Sequence, residues 1–148
     1  MTIASNLKAI TSSLPKEVAL VAVSKTKPNT AILEAYQTGQ RVFGENKVQE
    51  LSEKASALPK DIQWHFIGHL QSNKVKVIAP FVHLIQSVDS FKLLGEINKR
   101  AKQNDRTINC LLQFHIATEA SKFGLDLETA RAFLESEAFK NLENVNLC

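Results

Sequence analysis

Val18-Ala19-Leu20-Val21-Ala22-Val23, followed at once by Ser24-Lys25-Thr26-Lys27-Pro28, is the stretch whose reading decides the fold. A continuous apolar run of strand length suits a parallel strand covered on both faces; a strand with one wet face would alternate. Pro28 fits the first turn of a helix, where its missing N–H is no loss. Ile32, Leu33 and Tyr36 carry that helix towards a stop near Gly39. Upstream, Ile3, Leu7 and Ile10 at helical spacing predict an amphipathic helix over 2–13.

The same alternation continues down the chain. Arg41-Val42-Phe43-Gly44-Glu45 predicts a second strand, then a helix over 46–57 with Val48, Leu51 and Ala55 inward. Strands are expected at 63–68, 81–85 and 108–116, and helices at 72–78, 90–102 and 127–138. Residues 144–148 read as the opening of a sixth strand. Strand-then-helix units in unbroken succession predict a parallel sheet with crossover helices. Two closures are available, an open doubly wound sheet or a (β/α)8 barrel. The open sheet leads one to expect a Gly-rich phosphate loop after the first strand, but Ser24–Pro28 holds no glycine and no G-x-G-x-x-G or Walker loop occurs. The expected fold is therefore α/β, a parallel TIM-type (β/α)8 barrel with an N-terminal helix. Of that barrel, residues 1–148 supply about five β/α units and the start of a sixth strand, in a single domain. Because such barrels take ~250 residues, the chain reads as the N-terminal part of a longer one. The alternative is a complete, small, five-stranded open sheet.

Composition narrows the function classes. The 148 residues are 44% hydrophobic and 22% charged, with a formal net charge of +3. That is too apolar and too balanced for a disordered chain, and no apolar run reaches the ~18 residues that span a bilayer. The N-terminus lacks a secretory layout, so a cytoplasmic location is expected. Lys and Arg are dispersed, which gives no footprint for nucleic acid. Cys110 and Cys148 fall in no metal or redox spacing, and Cys110, inside an apolar strand, reads as a buried structural thiol.

In a barrel, reactive groups gather at the carboxyl ends of the strands. Lys25 stands at the first of these ends. Partial desolvation there would lower its pKa and free an amine able to attack an aldehyde; the plainer alternative is a lysine snorkelling to water. Asn46 follows the second strand, placed either to cap the next helix or to hydrogen-bond a ligand over the barrel mouth. His65 lies within the third strand, where alternation leaves both directions open. His65 and His69 are four apart but not on a helix, so they are not expected to chelate zinc. Ser72 is expected to cap a helix, and Lys122, in the polar loop 119–124, is a second candidate amine.

Four ordered motifs carry a resemblance. Ala22-Val23-Ser24-Lys25-Thr26-Lys27-Pro28, Phe43-Gly44-Glu45-Asn46-Lys47-Val48-Gln49-Glu50, the segment from Trp64 to Lys74, and Ser121-Lys122-Phe123-Gly124 resemble the YggS/PROSC family. These are pyridoxal 5′-phosphate (PLP) homeostasis proteins related to the N-terminal barrel of alanine racemase. The resemblance implies a fold-type III PLP barrel, with PLP held on Lys25 as a Schiff base and with Asn46 and His65 lining the pocket. It implies a monomeric carrier and regulator of PLP when complete, with PLP-dependent apo-enzymes as partners and no robust catalysis. The family's C-terminal phosphate-binding segments have no counterpart within residues 1–148. Gln113-Phe114-His115 departs from the family's commoner Gln-Val-Asn. An amino-acid racemase is the alternative; it would need a second base, for which the sole tyrosine, Tyr36, is poorly placed on a helix flank.

Overall fold

The computed structural model describes residues 1–118 and 124–148. The first helix, α1 (Ile3–Ser13), opens on a capping box in which Thr2 and Ser5 exchange side-chain and backbone hydrogen bonds. Six strands follow, β1 (Ala22–Val23), β2 (Val42–Glu45), β3 (Gln63–Phe66), β4 (Leu84–Val88), β5 (Ile108–Leu112) and β6 (Val145–Leu147). Between them run α2 (Asn29–Gln37), α3 (Val48–Ala57), a 3₁₀ turn (Ser72–Lys74) leading into α4 (Val75–Ile78), α5 (Phe91–Gln103), α6 (Leu127–Leu134) and α7 (Glu137–Lys140).

All pairings are parallel and the spatial order is the chain order, β1-β2-β3-β4-β5-β6. A doubly wound sheet reverses direction at a switch point; this sheet never does. Right-handed crossovers in a constant direction put every helix on one side. The architecture is an arc of a barrel.

The register assigns the two faces. Ala22, Phe43 and Trp64 are neighbours in one row, and Phe66, Ile85, Cys110 and Leu147 in another. These rows pack with Ile32, Leu51, Val75, Ile78, Leu94 and Ile97 of the helices into one core. Val23, Gly44, His65, Leu84, Asn109 and Asn146 form the matching row on the helix-free face. The accessible surface, 9079 Å², is about a fifth above the roughly 7,500 Å² of a compact monomer of this mass, as an uncovered sheet face requires.

Several boundaries differ from the sequence expectation, and the third and fifth strands stop early, at Phe66 rather than 68 and at Leu112 rather than 116. Only Ala22–Val23 of the first apolar run pairs as strand. Val18 closes a turn onto the Pro15 carbonyl, and the Leu20 carbonyl accepts from the Gln40 side chain. The fourth strand begins at Leu84 rather than at Phe81. Phe81 and Val82 close the end of α4 by donating to Ile78, while the Arg106 guanidinium holds the carbonyls of Ala79 and Val82. The helix expected over 127–138 is two helices, because Ser136 caps a new one through the Phe139 N–H.

Candidate functional site

Lys25 leaves β1, Asn46 leaves β2 and His65 lies in β3. Since Val23, Gly44 and His65 share one row of the helix-free face, Lys25 and Asn46 lie just beyond that row at its carboxyl edge. Three successive strands thus bring the candidates to one corner of the arc.

Lys25 is exposed. Within residues 1–148 this is the plainer of the two alternatives, a lysine reaching water, and Val23 beside it is itself 52% exposed. Its backbone is held firmly instead. The Lys27 N–H donates to the Ser24 carbonyl at 3.1 Å, closing a turn with Lys25 and Thr26 in the middle. Thr26 has φ +64°, the value of the third position of a type II turn, which ordinarily takes glycine. For a β-branched residue this conformation costs on the order of 1–3 kcal/mol and persists only where the surroundings enforce it.

The enforcing group is an ionic cluster beneath the turn. Lys54 of α3, 5% exposed, directs its ammonium to the Ser24 carbonyl (2.7 Å), Glu45 Oε1 (2.6 Å) and Glu50 Oε1 (2.6 Å). An ammonium has three donors, and all are used. The Ser24 hydroxyl donates to Glu45 Oε1 at 2.6 Å, and the Thr26 N–H donates to Glu50 Oε1 at 2.6 Å. Glu45 is fully buried, its Oε2 without a partner. Lys54 holds the Glu50 carboxyl below the usual carboxylate range, helped by the Thr26 N–H. Sequence reasoning did not single out this cluster. Glu50 and Lys54 read as an ordinary i,i+4 surface pair; the available signal was that Lys54 falls three residues after Leu51, within the inward stripe.

Asn46 does not cap α3. That helix begins at Val48 behind Lys47, with no side-chain cap, so the capping explanation for Asn46 fails. Asn46 is instead seated against Gly68, where an added Cβ would come within 2.4 Å of the Asn46 carbonyl oxygen and 2.8 Å of its Cα. Only glycine lets the two loops approach this closely.

His65 is 8% exposed. The Gln86 amide donates to its Nδ1 at 2.9 Å, which places the ring proton on Nε2, and the His83 ring stacks on it at 5.6 Å. Burial, with the neighbouring His83 adding to it, brings its pKa down to about 4, so it is a neutral imidazole at physiological pH. His69 pairs with Asp89 at 3.0 Å across the ends of β3 and β4. Ser72 does not cap: it is the first residue of the 3₁₀ turn, behind Gln71. Tyr36 donates to Asp61 at 2.7 Å and lies under the Arg41 guanidinium, 3.9 Å from the ring centre. Cys110 is buried, its thiol pushed up to about 12 by burial. Glu119–Phe123, including the candidate amine Lys122 and most of the Ser121-Lys122-Phe123-Gly124 motif, lie outside the described residues.

Residues 1–148 match the family described as alanine racemase, N-terminal domain. The chain belongs to this family. Among its relatives, the pyridoxal phosphate homeostasis protein of Haemophilus influenzae is 42% identical over 135 residues, covering 88% of this chain and 55% of the relative. The human protein of that name is 45% identical over 139 residues, covering 86% and 50%. The chain spans about half the length of these curated relatives. PipY of Synechococcus elongatus PCC7942, solved without PLP, superposes with a TM-score of 0.92 at 38% identity, over 99% of this chain and 68% of PipY. PipY with PLP bound gives 0.88 at 39%, with the same coverage. Alanine racemase from E. faecalis, at 14% identity and TM-score 0.71, shares the family's fold.

Proposed function

We propose that this chain contributes the cofactor-bearing lysine of a PLP-binding protein in intracellular vitamin B6 homeostasis, with Lys25 as the residue that holds PLP. The supporting observation is the backbone-clamped turn that presents the Lys25 amine at the carboxyl edge of the arc, in a chain 39% identical to a PLP-bound homologue. The residues fit the aldehyde end of the cofactor. Lys25 supplies an amine, Asn46 a carboxamide that no helix uses, and His65 a neutral imidazole on the same face. PLP when bound supplies an aldehyde that condenses reversibly with amines. A lysine on a rigidly held backbone suits a carrier that holds such a molecule as a reversible Schiff base. Phosphate binding is assigned to the part of the barrel that follows residues 1–148 in the longer relatives, where loops after the last strands build such sites. On this reading residues 1–148 are the N-terminal part of a single barrel domain, the complete protein works as a monomer in the cytoplasm, and PLP-dependent apo-enzymes are its recipients.

Borohydride reduction of the full-length gene product with PLP, followed by peptide mass mapping, tests the assignment. The expected result is pyridoxyl label on Lys25 and loss of at least about a hundredfold in PLP affinity in Lys25→Ala. Label on another side chain, or none, overturns it.

A further inference from the structure

Lys25 is anchored by a cluster on another element, and that cluster has a role of its own. We propose that Glu50 and Lys54 of α3, seated on buried Glu45, are positioning residues for cofactor capture, holding the Ser24–Lys27 turn in the conformation that presents the Lys25 amine. The inference rests on the reading of Lys25 given above.

The geometry is specific to the turn. Among the described residues, three hydrogen bonds reach it from this cluster through Ser24 O, Ser24 Oγ and Thr26 N, and two more join Ser24 to the Gly44 carbonyl. The cluster bonds lie on both sides of Lys25, to the residue before it and the residue after it. One of them falls on the N–H of the residue with positive φ. Without Glu50, Thr26 has reason to return to negative φ, and the amine one residue earlier turns with it. Glu50 acts on Lys25 only through this backbone, so relieving Thr26 of its conformational preference must make Glu50 less necessary. Glycine at position 26 does that.

The test uses the full-length gene product and two readouts. Thr26 amide hydrogen exchange, measured by NMR without PLP, reports the clamp. PLP affinity, measured by absorbance titration with borohydride trapping, reports its effect. Glu50→Ala should speed Thr26 exchange at least tenfold and weaken PLP binding about tenfold, as loss of a charge-assisted hydrogen bond warrants. Glu50→Gln keeps an accepting oxygen and should lose only about threefold. The double variant Thr26→Gly with Glu50→Ala should recover most of the affinity. Unchanged PLP affinity in Glu50→Ala overturns the proposal, whatever happens to Thr26 exchange. Failure of the double variant to recover also overturns it, since the carboxylate would then act otherwise than through the turn. If Glu50→Ala does not fold, Glu50→Gln with its threefold loss and matching rise in Thr26 exchange decides the matter. Absence of label on Lys25 in the wild type refutes the cofactor assignment alone, and Thr26 exchange still shows whether Glu50 holds the turn.

Discussion

The two faces of the sheet are built from alternate residues of the same strands, yet they obey different rules. On the helix side Phe43, Trp64, Phe66, Ile85 and Cys110 are 3% exposed or less. On the other side the row Val23, Gly44, His65, Leu84, Asn109 and Asn146 runs from buried through half-buried to exposed and mixes aliphatic, amide and imidazole groups. One face is specified by volume and the other by chemistry. The contrast reaches the two lysines of the corner. Lys54 is on the packed side, spent on three acceptors, and Lys25 is on the open side with its amine in water.

The sharpest way to break this contrast is to unpair the packed-side charge. Lys54→Met leaves Glu45 buried with no cation and should cost about 4 kcal/mol, read as a lowered urea midpoint at unchanged slope. Next come neighbouring residues on opposite faces. Ile85→Ala, which empties a fully buried site, should cost about 3 kcal/mol in the same assay.

A third test uses pH. His65 is neutral in the folded protein down to about pH 4, whereas unfolded it protonates near 6.5. The unfolded state therefore binds more protons between these values, and stability falls as pH drops through that window. The loss is about 2 kcal/mol at pH 5, and His65→Gln should remove this pH dependence from the unfolding curves. The smallest effect is expected one residue from the second. Leu84→Ala, on the half-buried open face, should cost under about 1 kcal/mol by the same measurement. A loss equal to that of Ile85→Ala would mean that the open face is packed after all.

The element order was legible because each helix and strand carries its own apolar period, and the barrel was favoured because the turn after β1 lacks glycine. Less readable was whatever depends on a distant partner. Arg106 holds back the start of β4 from a position 24 and 27 residues further along the chain, and no local window contains it. The first strand is short because Gln40 takes the carbonyl that a neighbour would have used. At the site, Lys25 and Asn46 were recognisable as polar residues at strand ends. The burial of Lys54 was not, because a lysine reads as wet or snorkelling until the acceptors gathered around it are known.

The order in which the strands lie also bears on how the protein is made. Ala22 finds its partner Phe43 after 21 further residues, Phe43 finds Trp64 after another 21, and His65 finds Leu84 after 19. Among the described residues each paired strand follows its neighbour closely in the chain, so each newly emerged unit can dock on the one synthesised just before it at a low cost in loop-closure entropy. The growing arc carries a live hydrogen-bonding edge at every stage, which makes assembly on the ribosome fast and also makes a pause in translation the moment of greatest risk of association with other chains.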